Sequence, residues 1–104
     1  MACFTRTIVE QQHLARISTQ MPIGGIVRMV LASGLALEGV LRSSSYGNNA
    51  GKGGWQYYGE SVIEDTSCKQ HIVDHLDIDD VILMNDEYTL GEYERLGLIE
   101  LVRR

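Results

Sequence analysis

The run from Ile26 to Arg42, IVRMVLASGLALEGVLR, constrains the chain more than any other segment, because two apolar stretches flank a single Ser-Gly pair. Such runs around a glycine turn signal read as a β-hairpin. Its register follows from the charges. A two-residue turn at Ser33-Gly34 would set Leu31 against Ala36 and Met29 against Glu38, placing a carboxylate among aliphatic side chains. A three-residue turn, Ala32-Ser33-Gly34 with Gly34 left-handed, instead sets Leu31 against Leu35, Met29 against Leu37 and Val27 against Gly39. It also sets Arg28 opposite Glu38 on the other face, a cross-strand ion pair worth about 0.2–1 kcal/mol. In this register Val27, Met29, Leu35 and Leu37 look inward from one curled sheet.

A chain of 104 residues with 44% hydrophobic content suits one domain, 1–104, whose core needs no disulfide, metal or cofactor. The net charge of -5 is unevenly spread: residues 1–57 hold five basic and two acidic side chains, residues 58–104 four and twelve. A net acidic protein repels phosphate backbones, so nucleic acid and anionic membranes are disfavoured as partners. Cys3 and Cys68 belong to no CxxC pattern and imply a reduced, cytoplasmic chain. No apolar stretch is long enough to span a bilayer as a helix, and the N-terminus lacks the features of a signal peptide.

Around the hairpin, the pattern predicts a helix over 8–19, opened by the capping box Thr7-Ile8-Val9-Glu10 and ended by Pro22. Its apolar face, Ile8, Leu14, Ile17 and Met21, is thin. Strands are expected over 25–32, 35–43, 55–65, 69–76 and 80–85, the third bent at Gly59 and the last two joined by an acidic corner, Asp77-Ile78-Asp79. Ser43 to Gly54, SSSYGNNAGKGG, reads as a loop. A second capping box, Thr89-Leu90-Gly91-Glu92, opens a helix over 89–97; residues 98–104 suit either its extension or a sixth strand.

The hydrophobic spacing Val27, Met29, Leu31, then Gly34, then Leu37, Gly39 and Leu41 resembles the first motif of Sm-like proteins, with one glycine at the hairpin turn and another in a bending second strand. The resemblance implies a mainly β (α+β) fold, a small, strongly bent, five-stranded antiparallel barrel with an N-terminal and a short C-terminal helix. It also implies dimeric or ring-like self-association. Sm-like RNA binders carry an Asp and an Asn in a short loop after the second strand and an Arg-Gly pair in the second motif. Here that loop is long and glycine-rich, Asn48 and Asn49 lie at no matching offset, and no Arg-Gly pair follows. RNA recognition is therefore not carried over with the fold.

Three constellations invite chemistry and depart from the patterns they suggest. The segment from Gly47 to Gly54 carries Lys52 among glycines, yet a P-loop needs one more residue before its Gly-Lys pair and a Ser or Thr after it, where Gly53 stands. Cys68, His71 and His75 have the spacing C-x2-H-x3-H but lack a clear fourth ligand, and the histidines read as solvent-facing residues of a half-buried strand. Asp74, Asp77, Asp79 and Asp80 lack the glycine and bidentate glutamate of a calcium loop and read as a solvated acidic corner. No GxSxG elbow supports nucleophilic catalysis.

The chain thus reads as a non-catalytic, self-associating module that binds a protein partner or small ligand through an aromatic-flanked loop. Its expected site is Tyr46, Asn48, Asn49, Lys52, Trp55, Tyr57 and Tyr58, with Trp55 and Tyr57 turned inward or to a subunit contact and Tyr58 outward. No metal or cofactor is expected. Two alternatives stand beside it. One is an RNA-binding ring using Arg6, Arg16 and Lys52; the other is a metal-dependent enzyme using His71 and His75 with Cys68 or Asp77.

Overall fold

The computed structural model describes residues 4–48 and 56–100. The hairpin forms from β1 (Ile26–Leu31) and β2 (Ala36–Asn48) in the three-residue-turn register, with Val27 opposite Gly39, Arg28 opposite Glu38 and Met29 opposite Leu37. Gly34 sits at φ +89°, and the Leu31 N–H donates to the Leu35 carbonyl at 2.8 Å to close the turn. Val27 and Met29 are fully buried, but Leu35 is 69% exposed rather than inward, because it lies at the turn, beyond the reach of the packed sheet face. Arg28 and Glu38 face each other without forming an ion pair; Glu38 instead accepts from the Tyr93 hydroxyl at 3.2 Å.

β2 runs well past the expected end at 43, and the polar Ser43–Gly47 stretch is strand, not loop. Its partner β3 (Tyr57–Glu64) supplies a continuous ladder from Val40–Glu64 to Asn48–Tyr57, so tertiary pairing overrides the weak strand propensity of serine and glycine. The bulge falls at Arg42 in β2, between Leu41 and Ser43, and not at Gly59. Gly39 lets β2 bend, since a Cβ there would overlap the Glu64 carbonyl.

β4 (Gln70–Asp74) pairs with β3, a 3-10 turn (His75–Asp77) follows, and β5 (Ile78–Leu83) pairs with β1. Ile78, expected in an exposed corner, is instead fully buried. The order β4-β3-β2-β1-β5 leaves the sheet bent but open, not the closed barrel expected. After Asp74 the chain leaves the sheet as the 3-10 turn.

Helix α1 (Ile8–Ser18) is capped by Thr7, whose hydroxyl accepts the Glu10 N–H, and buries only Leu14 and Ile17. Ile8 is exposed. Helix α2 (Glu87–Arg95) starts earlier than the Thr89 box predicts, because Asp86 takes the cap and accepts from the Thr89 N–H and hydroxyl. It ends on Gly97 at φ +76°, with the Gly97 N–H bonded to the Glu94 carbonyl and the Leu98 N–H to that of Tyr93. This stop rules out extension of the helix through 98–100.

Two clusters form the core. Ile17, Val27, Met29, Leu41, Ile63, Val73 and Ile78 pack between α1 and the sheet, and Ile26, Val40, Tyr93 and Leu98 pack under α2. Among the described residues, no helix is long and apolar enough to cross a membrane.

Candidate functional site

The paired strands β2 and β3 form a ribbon that carries its aromatic residues on both faces. Tyr46 pairs with Gly59 and Tyr57 with Asn48, so the two tyrosines are diagonal neighbours on one face, stacked at 6.3 Å with ring planes 12° apart. Tyr46 is 54% exposed and Tyr57 half-buried. On the opposite face Tyr58 lies over Gly47, where an added Cβ would meet the ring and its hydroxyl. Phe4 packs edge-on against Tyr58 at 5.4 Å. Tyr57 and Tyr58 are both half-buried, so within this chain Tyr57 is not fully inward and Tyr58 not fully outward. Strand alternation puts them on opposite faces of the ribbon.

Of the expected site residues, Tyr46, Asn48, Tyr57 and Tyr58 therefore gather at one end of the ribbon. Asn49, Lys52 and Trp55 lie outside the described residues. The structure adds a contributor that no motif signalled. Buried Thr5 donates its N–H to the Tyr57 carbonyl at 2.8 Å, and its hydroxyl accepts the Tyr57 N–H at 3.0 Å. The segment before α1 thus fixes the Tyr57 backbone under the stacked pair.

The two histidines of the C-x2-H-x3-H spacing are separated by function and environment. His71 bonds Asp65 at 2.7 Å, and with the Lys69 and Ser67 N–H groups it holds the Asp65 carboxyl below its ordinary value. That carboxylate organises the β3–β4 turn, in which Cys68 adopts φ +62°. His75, expected at the surface, is fully buried in the 3-10 turn. One ring nitrogen, Nδ1, meets Ser18 Oγ at 2.9 Å; the other, Nε2, meets Ser61 Oγ at 2.6 Å, with Ser44 Oγ at 3.4 Å. Burial lowers its pKa, while the charges of Asp74 and Glu60 act to raise it. A Cβ on Gly59 would overlap the His75 ring, so that glycine serves close packing. Ser61 is itself buried, and the network knits α1, β2 and β3 around the 3-10 turn.

The remaining charged groups are dispersed. Asp74 caps the 3-10 turn through the Leu76 N–H, and the Asp80 carboxylate accepts from the Val81 N–H. No three His, Cys, Asp or Glu side chains converge on a common point among the described residues. Arg6 pairs with Glu10, and Arg16 donates to the Asp79 carbonyl at 3.1 Å beside His13, whose Nε2 lies 2.6 Å from the Ile78 carbonyl. These contacts staple α1 to the start of β5 rather than gathering a basic patch.

No family model and no curated protein matches the chain. Among solved structures, it is similar to XC5848 from Xanthomonas campestris, whose crystal structure is described as a novel variant of the Sm-like motif. The TM-score is 0.59 at 15% identity, covering 82% of this chain and 96% of that one. The bent five-stranded sheet thus shares its fold with an Sm-like variant, as the first-motif spacing implies.

Proposed function

We propose that this chain is a non-catalytic, self-associating binding module that takes a protein partner or small ligand at the aromatic end of the β2–β3 ribbon. The stacked Tyr46–Tyr57 pair carries the reading. It offers a flat π surface, more than half exposed at Tyr46, on a backbone fixed by the ladder and by Thr5. Rings of this kind supply contact area at little entropic cost because few torsions must be frozen. Asn48, Asn49 and Lys52 add polar and charged groups in the adjoining sequence, where Trp55 contributes a further ring. Self-association is supported by the open sheet, since an unpaired edge is a template for another strand.

The test is a panel of aromatic fragments led by indole, followed by NMR of the tyrosine ring protons and backbone amides. Shifts confined to Tyr46, Tyr57 and their ladder partners, lost in Tyr46→Ala, support the reading. Binding elsewhere, or none, removes the site.

A further inference from the structure

The ribbon face that carries Tyr46 and Tyr57 is neutral along its described length. Ladder partners share a side, so Ser44, Tyr46 and Asn48 of β2 lie with Ser61, Gly59 and Tyr57 of β3, while Glu60 opposes Ser45 on the other face. Tyr46 stands between Ser44 and Asn48, roughly 7 Å from each along the strand, and all three are exposed. The ring of His75 lies against Gly59 on this face, and burial favours its uncharged form. Ser44 also differs from an ordinary surface serine. Its Oγ lies 3.2 Å from Ser61 Oγ, which meets His75 Nε2 at 2.6 Å, and Ser18 Oγ closes the chain at Nδ1. A proton on Nε2 runs this chain outward: Ser18 donates to Nδ1, Nε2 to Ser61 and Ser61 to Ser44, which leaves the Ser44 hydrogen for a ligand. A proton on Nδ1 reverses it, and Ser44 then donates inward and offers a lone pair outward. In both arrangements the exposed hydroxyl is held by a buried network, so little torsional freedom is lost when a ligand bonds it.

We infer that this face is a subsite for a neutral saccharide, with the C–H face of one pyranose ring on Tyr46 and its hydroxyls at Ser44 and Asn48. The inference rests on the reading of the aromatic end as a binding site and names the ligand class. Sugar C–H groups carry partial positive charge and meet the negative face of an aromatic ring. A sugar hydroxyl both donates and accepts, so it suits Ser44 in either direction of the chain, which a carbonyl or an ammonium does not. A charged ligand finds no counter-ion among the described residues of this face. A bare aromatic ring stacks on Tyr46 as well but leaves Ser44 unmet.

The experiment is saturation-transfer NMR on the full chain with neutral gluco-, manno- and galacto-oligosaccharides, each beside its uronate and 2-amino counterparts. At least one neutral saccharide binds, with a dissociation constant of about 1 mM, and shifts the Tyr46 ring protons. Its charged counterparts bind more weakly. Tyr46→Ala abolishes binding. Ser44→Ala weakens it by roughly two- to tenfold, the worth of one hydrogen bond, and leaves the binding of indole unchanged. Ser45→Ala, on the other face, alters neither. Both serines are exposed, so the variants keep the fold. No neutral saccharide bound at about 10 mM, a preference for the charged sets, or equal effects of Ser44→Ala and Ser45→Ala each overturns the inference. Indole binding without saccharide binding overturns it alone and leaves the aromatic site standing, whereas loss of both removes the site as well.

Discussion

His75 is a buried imidazole whose two nitrogens are both engaged by serine hydroxyls. Burial holds its folded pKa below the ordinary 6.5, against the opposing charges of Asp74 and Glu60. A depressed folded pKa means that the unfolded chain binds the proton first. The stability that the neutral ring contributes is therefore complete above about pH 6.5 and is lost as pH falls toward the folded pKa. Urea midpoints should decline as pH falls below about 6.5, and this slope should flatten in His75→Gln even though that variant is less stable at neutral pH. A slope identical in the two proteins would show that His75 does not set it. Gly59→Ala tests the same packing from below. The added Cβ overlaps the imidazole, and we expect a loss of about 1–3 kcal/mol by chemical denaturation.

At the scale of elements, turn and cap chemistry decides where strands and helices stop. Gly34 at φ +89° has open space around its Cβ position, so Gly34→Ala should cost about 1–2 kcal/mol through backbone strain alone, without a steric contribution. Asp86→Ala removes a carboxylate that accepts both Thr89 donors, and should lower stability by about 1 kcal/mol while leaving the sheet unchanged. The hairpin register was legible because charge and turn geometry agreed on one answer at Arg28, Glu38 and Gly34. The start of α2 was not, since Asp86 and Thr89 are both good caps, and Asp86 takes the role by accepting from Thr89 itself. Nor was the length of β2, whose Ser43–Gly47 stretch takes its conformation from β3. The aromatic site was half legible. Composition pointed to Tyr46 and Tyr57, but no pattern indicated that Thr5 would bond the Tyr57 backbone. His75 drew notice through its metal-like spacing, whereas its real partners, Ser18, Ser44 and Ser61, are scattered in sequence and meet only in the fold.

For the whole molecule, the open sheet raises the question of which edge joins another copy. The first half of the outer edge of β5 is engaged by α1, where His13 and Arg16 reach the carbonyls of Ile78 and Asp79. The second half carries Ile82 and Leu83 at 43% and 50% exposure. Antiparallel pairing of two β5 strands centred on Ile82 would bury these residues and align Asp80 with Met84 of the second copy, keeping the carboxylates apart. Such a β5–β5 pairing would make a two-fold dimer, since the same patch serves both copies, whereas pairing of β5 with the other edge strand, β4, would build a ring. Two chains of net charge -5 repel at long range, so the association should tighten as salt screens them. Light scattering is expected to give a mass near twice 11.6 kDa, with a dissociation constant that falls as ionic strength rises from about 0.01 M to 0.15 M. Ile82→Lys should return the monomer, since a lysine on an edge strand opposes pairing while the exposed position tolerates the charge. A dimer that persists in that variant would move the interface away from β5.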